Sequence, residues 1–198
     1  MNIFTKIYKE NLWNSQESKS GIGSELQHTQ VLIEELPKLL HKYNIGTILD
    51  IPCGDYNWMK EIDLDGTDIS YIGADIVPEL IQENKRKYHG SEAWSVLDIV
   101  NDPLPRMELV IVRDCLGHLS EDNARRAIRN IKKSGSKYLL ATCCTKTTSN
   151  INIIEGGWHP INLMIFPYNM IPLCLINEQC HVNYPNHLDK CMVLFQLN

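Results

Sequence analysis

A chain of 198 residues with 43% hydrophobic and 22% charged side chains is long enough for one globular domain with a real core. Its formal net charge of −5 argues against a nucleic-acid partner held by bulk electrostatics. The start lacks the apolar h-region of a signal peptide and no apolar run reaches transmembrane length, so a cytoplasmic protein without membrane insertion is expected. Seven cysteines with no C-x-x-C pair read as reduced, mostly buried thiols. A metal site at Cys180, His181 and His187 matches no usual zinc spacing, and none is predicted.

Taken in order, residues 1–19 are polar and mixed, with Trp13 as the one anchor. The run Ser20-Gly21-Ile22-Gly23-Ser24 precedes a stretch in which Leu26, Ile33, Leu36 and Leu40 recur near one helical face. Ser24 and Gln27 have capping-box spacing, which starts that helix at Ser24; Pro37 either kinks it or opens a second segment. The S-G-I-G-S run has two readings, a flexible hinge or a lid whose backbone N–H groups receive a ligand carboxylate. The chain is organised around T-I-L-D-I-P-C-G-D-Y-N-W, from Thr47 to Trp58: a short apolar strand ends at Pro52, and the elbow Gly54-Asp55 leads into a predicted helix. A second strand covers Ile69 to Asp75, and Pro78 opens a helix running from Glu79 to Tyr88. Ala93 to Leu97 and Glu108 to Val112 are the third and fourth strands. Ser120 caps a helix to Lys133 with a buried stripe of Ala124, Ala127, Ile128 and Ile131, and Lys137 to Ala141 is the fifth strand.

Five alternations of strand with helix predict an α/β fold, a mostly parallel twisted sheet with helices on both faces. Polar residues 144–159 read as a long loop over the ligand edge. Ile161 to Ile176 and Met192 to Leu197 then suit a closing antiparallel pair. The expected layout is one domain: lid and helix in 1–44, a cofactor-binding core in 45–143, and an acceptor loop with closing strands in 144–198.

Acidic residues fall at four successive strand ends, Asp50, Asp75, Asp98 and Asp114, where ligands of open α/β sheets bind. Each taken singly serves equally as a helix cap or loop staple. Asp75 lies 25 residues beyond Asp50, near the offset at which a carboxylate accepts ribose hydroxyls, and Asp98 is placed to accept from an adenine amino group. The turn Pro52-Cys53-Gly54-Asp55 has one glycine, unlike the G-x-G-x-x-G of dinucleotide binding, and no P-loop occurs. An adenosine ligand without phosphates fits these residues, and S-adenosyl-L-methionine is the expected cofactor.

Over nearly its whole length the chain resembles the class I S-adenosylmethionine-dependent methyltransferases. I-L-D-I-P-C-G-D resembles that superfamily's first motif, departing from it at Pro52 and Asp55. Y-I-G-A-D-I resembles the second motif, S-V-L-D the third, and L-V-I-V-R-D-C-L-G-H-L the fourth-strand segment where the acceptor is handled. S-G-I-G-S, D-I-P-C-G-D-Y-N-W, R-D-C-L-G-H-L-S and G-G-W-H-P-I-N-L together resemble a narrower group of small methyltransferases from bacterial polysaccharide contexts and large DNA viruses. Some of that group methylate glycan hydroxyls. The resemblance implies a Rossmann-like fold and O-methylation of a sugar or glycan hydroxyl, with S-adenosyl-L-homocysteine as product. Another small molecule or a protein as acceptor, and a catalytically silent cofactor-binding regulator, stay open as alternatives. DNA amino-group methylation is disfavoured, because R-D-C-L stands where such enzymes carry [DN]-P-P-[YF]. The resemblance also implies that Pro52, Cys53, Gly54 and Asp55 line the methionine end with Asp50. Asp75 with Ile76 then holds the ribose, Asp98 with Ile99 frames the adenine, and Ser20, Gly21 and Ser24 form the lid. Trp58 either stacks near the ligand or packs its helix onto the sheet.

An alcohol acceptor must lose its proton as the new bond forms, which calls for a general base. Asp114 and His118 follow the fourth strand at i, i+4 spacing and share one face if that segment is helical. His118 titrates near neutral pH and is the expected base, with Asp114 orienting it or binding the sugar; exchanged roles, or a His118 that only caps the next helix, stay open. Trp158 and His159 are expected at the acceptor. Arg113 is expected at the cofactor pocket, binding an acidic group of the acceptor or pairing with Asp114. A divalent metal on Asp114 is an alternative that no compact carboxylate cluster supports. Oligomeric state, and membership of a longer glycan-assembling chain, are left open.

Overall fold

The computed structural model describes residues 2–64, 66–90, 92–179 and 189–197. Strands β1 (Thr47–Asp50), β2 (Ser70–Asp75), β3 (Ala93–Val96), β4 (Leu109–Val112), β5 (Tyr138–Cys144), β6 (Pro172–Asn177) and β7 (Lys190–Gln196) form one sheet in the order β3-β2-β1-β4-β5-β7-β6. The first five pair in parallel, and β7 runs antiparallel to both β5 and β6. Strand order reverses between β1 and β4, which leaves a crevice beyond their carboxyl ends. Among the described residues the helices are α1 (Ile3–Glu10), α2 (Leu26–Tyr43), α3 (Pro78–Lys87) and α4 (Glu121–Lys133).

Alternation along the strands feeds two cores. Ile48, Leu109 and Ile111 join the apolar residues of α2 and α3 on one face, while Leu49, Val110 and Val112 join α4 and residues 161–170 on the other. All four residues of β4 are buried, as a strand covered on both faces requires. In α4 the Ser120 side chain accepts from the Asn123 N–H, Glu121 and Asp122 occupy the first turn, and Lys132 and Lys133 the last, so cap and charges agree with the backbone dipole. Its buried stripe is Ala124, Ala127, Ile128 and Ile131, as the sequence predicts.

The structure departs from the sequence reading in four places. Residues 3–10 are helical, capped by the Asn2 side chain accepting from Phe4 N–H at 2.8 Å. α2 starts one residue late, at a Glu25 cap with no side-chain bond; Leu26 N–H donates instead to Glu17 Oε1 at 2.8 Å, a partner nine residues upstream. Ser24 ends a short 3-10 turn rather than capping, and α2 continues through Pro37 as one helix. Third, among the described residues no α-helix lies between β1 and β2 or between β3 and β4. Gly54 at φ +56 and Tyr56 at φ +61 are left-handed, which breaks a helix at its first turn, and only Met59–Glu61 winds into a 3-10 turn. Tyr56 spends that geometry on an aromatic cluster, its ring centroid 5.0 Å from those of Tyr88 and Trp94. Finally, β5 runs on to Cys144, which pairs with Lys190, so the antiparallel strand begins at the ligand edge of the sheet, while of the stretch Ile161 to Ile176 expected in the closing pair only the end, from Pro172, is strand.

Candidate functional site

A cavity lies beyond the carboxyl ends of β1, β2 and β4, and every residue expected at the cofactor lines it except Gly21. Asp50 ends β1 with 2% exposure and accepts the Tyr71 hydroxyl at 2.7 Å. Burial outweighs the help of Tyr71 and Arg113 and pushes its carboxyl up to about 7. Asp75 ends β2; burial likewise pushes it to about 6, although it accepts Val77 N–H at 3.0 Å and Gly54 N–H at 3.3 Å. Asp98 lines the cavity and also staples its own loop, accepting Val100 N–H and the Asn101 amide at 2.8 and 2.7 Å.

The segment from Ser15 to Glu25 is a fastened strap rather than a hinge. Within the run expected to receive a ligand carboxylate, Ser20 N–H donates to Ser18 Oγ at 3.1 Å, Gly21 N–H to the Ser18 carbonyl at 3.1 Å and Ser24 N–H to the Gly21 carbonyl at 3.0 Å. The segment is fastened by Asp55. Its Oδ1 accepts the hydroxyls of Ser18 and Ser20 at 2.8 and 3.0 Å, and its Oδ2 accepts Lys19 N–H at 2.7 Å. Asn57 adds bonds to the Ser24 carbonyl at 3.0 Å and to Glu17 Oε1 at 2.6 Å. Ser20 sits so close over Gly54 that a Cβ there would overlap its hydroxyl, so the strap demands glycine. Gly21 stands behind the lining at φ +93, where a Cβ would lie 3.0 Å from that of Trp13. Trp13 itself lines the cavity, its ring centroid 5.3 Å from that of His118, and Phe4 and Tyr8 of α1 line it too. Sequence reasoning missed these three; Trp13, marked as an anchor, was the only hint.

β4 runs into Arg113-Asp114. Asp114 takes φ +47, a left-handed value that aspartate tolerates better than most side chains, and only Leu116–His118 then forms a 3-10 turn. The expected i, i+4 helical face is therefore absent. The turn nonetheless brings both residues to one place: Asp114 and His118 line the main cavity and also a small outer hollow with Gly117, Thr142, Trp158, His159 and Lys190. Asp114 Oδ2 meets Lys190 Nζ at 2.5 Å and Arg113 Nη1 at 3.4 Å. Burial works to raise its pKa, but these two cations prevail and hold it well below the usual carboxylate range. Arg113 is committed within the protein: it donates to Glu178 Oε2 through Nη2 at 2.6 Å and Nε at 3.0 Å, and to the Gly23 carbonyl at 2.7 Å. Its guanidinium lies 5.7 Å over Trp58, so Trp58 both packs and lines the cavity.

His118 Nδ1 is 2.6 Å from the Gly157 carbonyl. A carbonyl only accepts, so Nδ1 carries the hydrogen and the neutral ring keeps a lone pair on Nε2. Burial lowers the pKa of His118 against the pull of the Gly157 carbonyl and Asp114. The Gly156-Gly157 turn is docked by Gly156 N–H to the His118 carbonyl at 2.9 Å and His159 N–H to the Gly117 carbonyl at 3.0 Å. Trp158 remains 43% exposed at the rim and His159 is buried. Among the described residues no three His, Cys, Asp or Glu side chains are arranged to hold a metal, and the six described cysteines are free. Cys180, His181 and His187 lie outside the described residues. No described helix is long and apolar enough to cross a membrane.

No protein-family model matches the chain, and no curated protein does. Solved structures do. Residues covering 96% of the chain superpose on 61% of human N-acetylserotonin methyltransferase in complex with SAM, with TM-score 0.60 and 14% identity. All of it superposes on 98% of a chain in the complex between the Haloferax volcanii Trm112 methyltransferase activator and the putative methyltransferase, with TM-score 0.67 and 9% identity. A third likeness covers 86% of the chain and 93% of N-methyltransferase NodS from Bradyrhizobium japonicum, with TM-score 0.56 and 18% identity. The likeness is one of fold. This chain has the Rossmann-like architecture of those methyltransferase structures, a mostly parallel sheet with an antiparallel C-terminal pair, and it spans about three-fifths of the human enzyme's length.

Proposed function

We propose that this chain transfers a methyl group from S-adenosylmethionine to a hydroxyl of a sugar or glycan, with His118 as general base. The observation that carries the reading is that, among the described residues, Asp114 and His118 alone line both the main cavity and the outer hollow. A donor in the first and an acceptor lying over the second, a hollow of only about 10 Å³, would meet at those two side chains. The donor fits the main cavity: two buried carboxylates, Asp50 and Asp75, suit an ammonium group and ribose hydroxyls. S-adenosylmethionine supplies the activated methyl group, leaving the protein to orient, to exclude water and to move one proton. His118 Nε2 takes the hydroxyl proton as the acceptor oxygen gains the methyl group. Asp114, held as an anion, is the weaker candidate for base and the better one for binding a neighbouring hydroxyl.

The sugar reading rests on the resemblance and on the hollow's character. Asp114 and Lys190 line it as an ion pair, backed by the pair of Arg113 with Glu178, and Trp158 offers an aromatic face at the rim. The test is incubation with S-adenosylmethionine and a panel of deoxysugars and oligosaccharides. We expect a methylated product, with kcat lowered by about 10²–10⁴ in His118→Gln while cofactor binding is retained. Intact cofactor binding with no product across the panel rejects the sugar acceptor. Complete absence of slow S-adenosylhomocysteine formation favours a silent binder.

A further inference from the structure

Lys190 reaches the site from the far end of the chain and belongs to none of the motifs. It opens β7 opposite Cys144, the last residue of β5, so the antiparallel strand delivers its first side chain to the ligand edge. The β6–β7 hairpin also brings Glu178, whose N–H donates to the Lys190 carbonyl at 3.3 Å. Lys190 Nζ lies 2.5 Å from Asp114 Oδ2 and 3.7 Å from Glu178 Oε2. Asp114 Oδ1 by contrast accepts, among the described residues, one long bond from Thr142 Oγ1 at 3.4 Å, which leaves it capacity to spare in a side chain that lines both the cavity and the hollow.

We propose that Lys190 is a positioning residue for methyl transfer, clamping one oxygen of Asp114 so that the other is presented to the acceptor and His118 is left as the sole base. This rests on the reading of His118 given above. Two consequences follow from where the charges stand. Without the ammonium group, Asp114 loses the partner that sets its rotamer, and the acceptor is held less well. His118 then also faces Asp114 with less positive charge nearby, so its protonated form gains. The other groups around the ring are unaltered: the Gly157 carbonyl on Nδ1, His159 from the docked turn, the Trp13 ring, and Glu155, whose Oε1 is occupied by Ser120 and Asn123. Arg113 keeps its own pairing with Glu178.

The test compares Lys190→Met with Lys190→Arg in the full chain. Two readouts are taken: an NMR titration of the His118 ring, assigned with His118→Gln, and the pH profile of kcat. In Lys190→Met we expect the His118 titration and the acid limb of the profile to move to higher pH together. kcat should fall by up to about a hundredfold, with cofactor affinity unchanged. Lys190→Arg should restore the pH at which both turn, even if its longer head leaves kcat reduced. A His118 titration that stays in place in folded Lys190→Met overturns the proposal whatever happens to kcat. If Lys190→Met does not fold, a Lys190→Arg variant that shifts the His118 titration away from the wild-type value overturns it equally. A titration that moves as expected in a protein that methylates no hydroxyl upholds the linkage and rejects the reading of function.

Discussion

Asp50 joins stability to pH and, on the proposed function, joins both to cofactor binding. In the free protein its carboxyl is pushed up to about 7 by burial, and that of Asp75 to about 6. A cationic ligand with ribose hydroxyls binds the ionised forms, so protons compete with it. Between pH 8 and pH 6 that competition weakens binding about tenfold through Asp50 and about twofold through Asp75, together about twentyfold. The same burial acts on folding with opposite sign. The folded-state value lies above the ordinary 3.8, so folding takes up a proton between about pH 4 and 7. This contribution to stability is full at acid pH and is lost as the pH rises through 7. At pH 8 the ionised, buried carboxylate costs on the order of 4 kcal/mol. Asp50→Asn keeps an acceptor for the Tyr71 hydroxyl and removes the charge. We therefore expect the ligand-free variant to melt several degrees higher than the wild type at pH 8 and by clearly less at pH 5, where the cost has fallen to about 1.6 kcal/mol. Its affinity for S-adenosylmethionine should be lower at pH 8, with a pH dependence reduced to the twofold part. Calorimetric titration and thermal melts at matched pH supply both numbers, and comparing variant with wild type cancels the ligand's own ionisation. A variant that melts lower at pH 8, or a wild-type affinity indifferent to pH between 6 and 8, refutes the reasoning.

Asp55→Ala removes the acceptor of three strap donors at once, so the ligand-free protein should melt a few degrees lower and the cofactor dissociation rate should rise at least tenfold by stopped-flow. Gly117→Ala places a Cβ 2.7 Å from the His159 carbonyl, which must move. The docked turn should shift away from His118, lowering kcat about a hundredfold with cofactor affinity intact.

The elements that the sequence announced are those whose signals are local. Four consecutive apolar residues in β4, the Ser120 cap with its stripe through Ile131, and Pro78 at the start of α3 all act within one turn or one pleat, and all appear where the spacing puts them. The same holds for the acids at the strand ends, since a strand's carboxyl end is a local fact. The helix expected after β1 failed because Gly54 and Tyr56 are held left-handed by what packs on them, the strap and the aromatic cluster. The polar groups of the site chose partners that no spacing reveals: Asp55 took a strap some 35 residues earlier, His118 took a carbonyl 39 residues later, and Asp114 took an ammonium 76 residues later. A buried polar atom must find a partner, and which one it finds is settled by chain closure and desolvation in three dimensions. The sequence therefore determined the sheet, its ligand edge and the acids along it. Only the tertiary structure decided that the segment from Ser15 to Glu25 is latched by the protein's own carboxylate and that Lys190 stands beside Asp114.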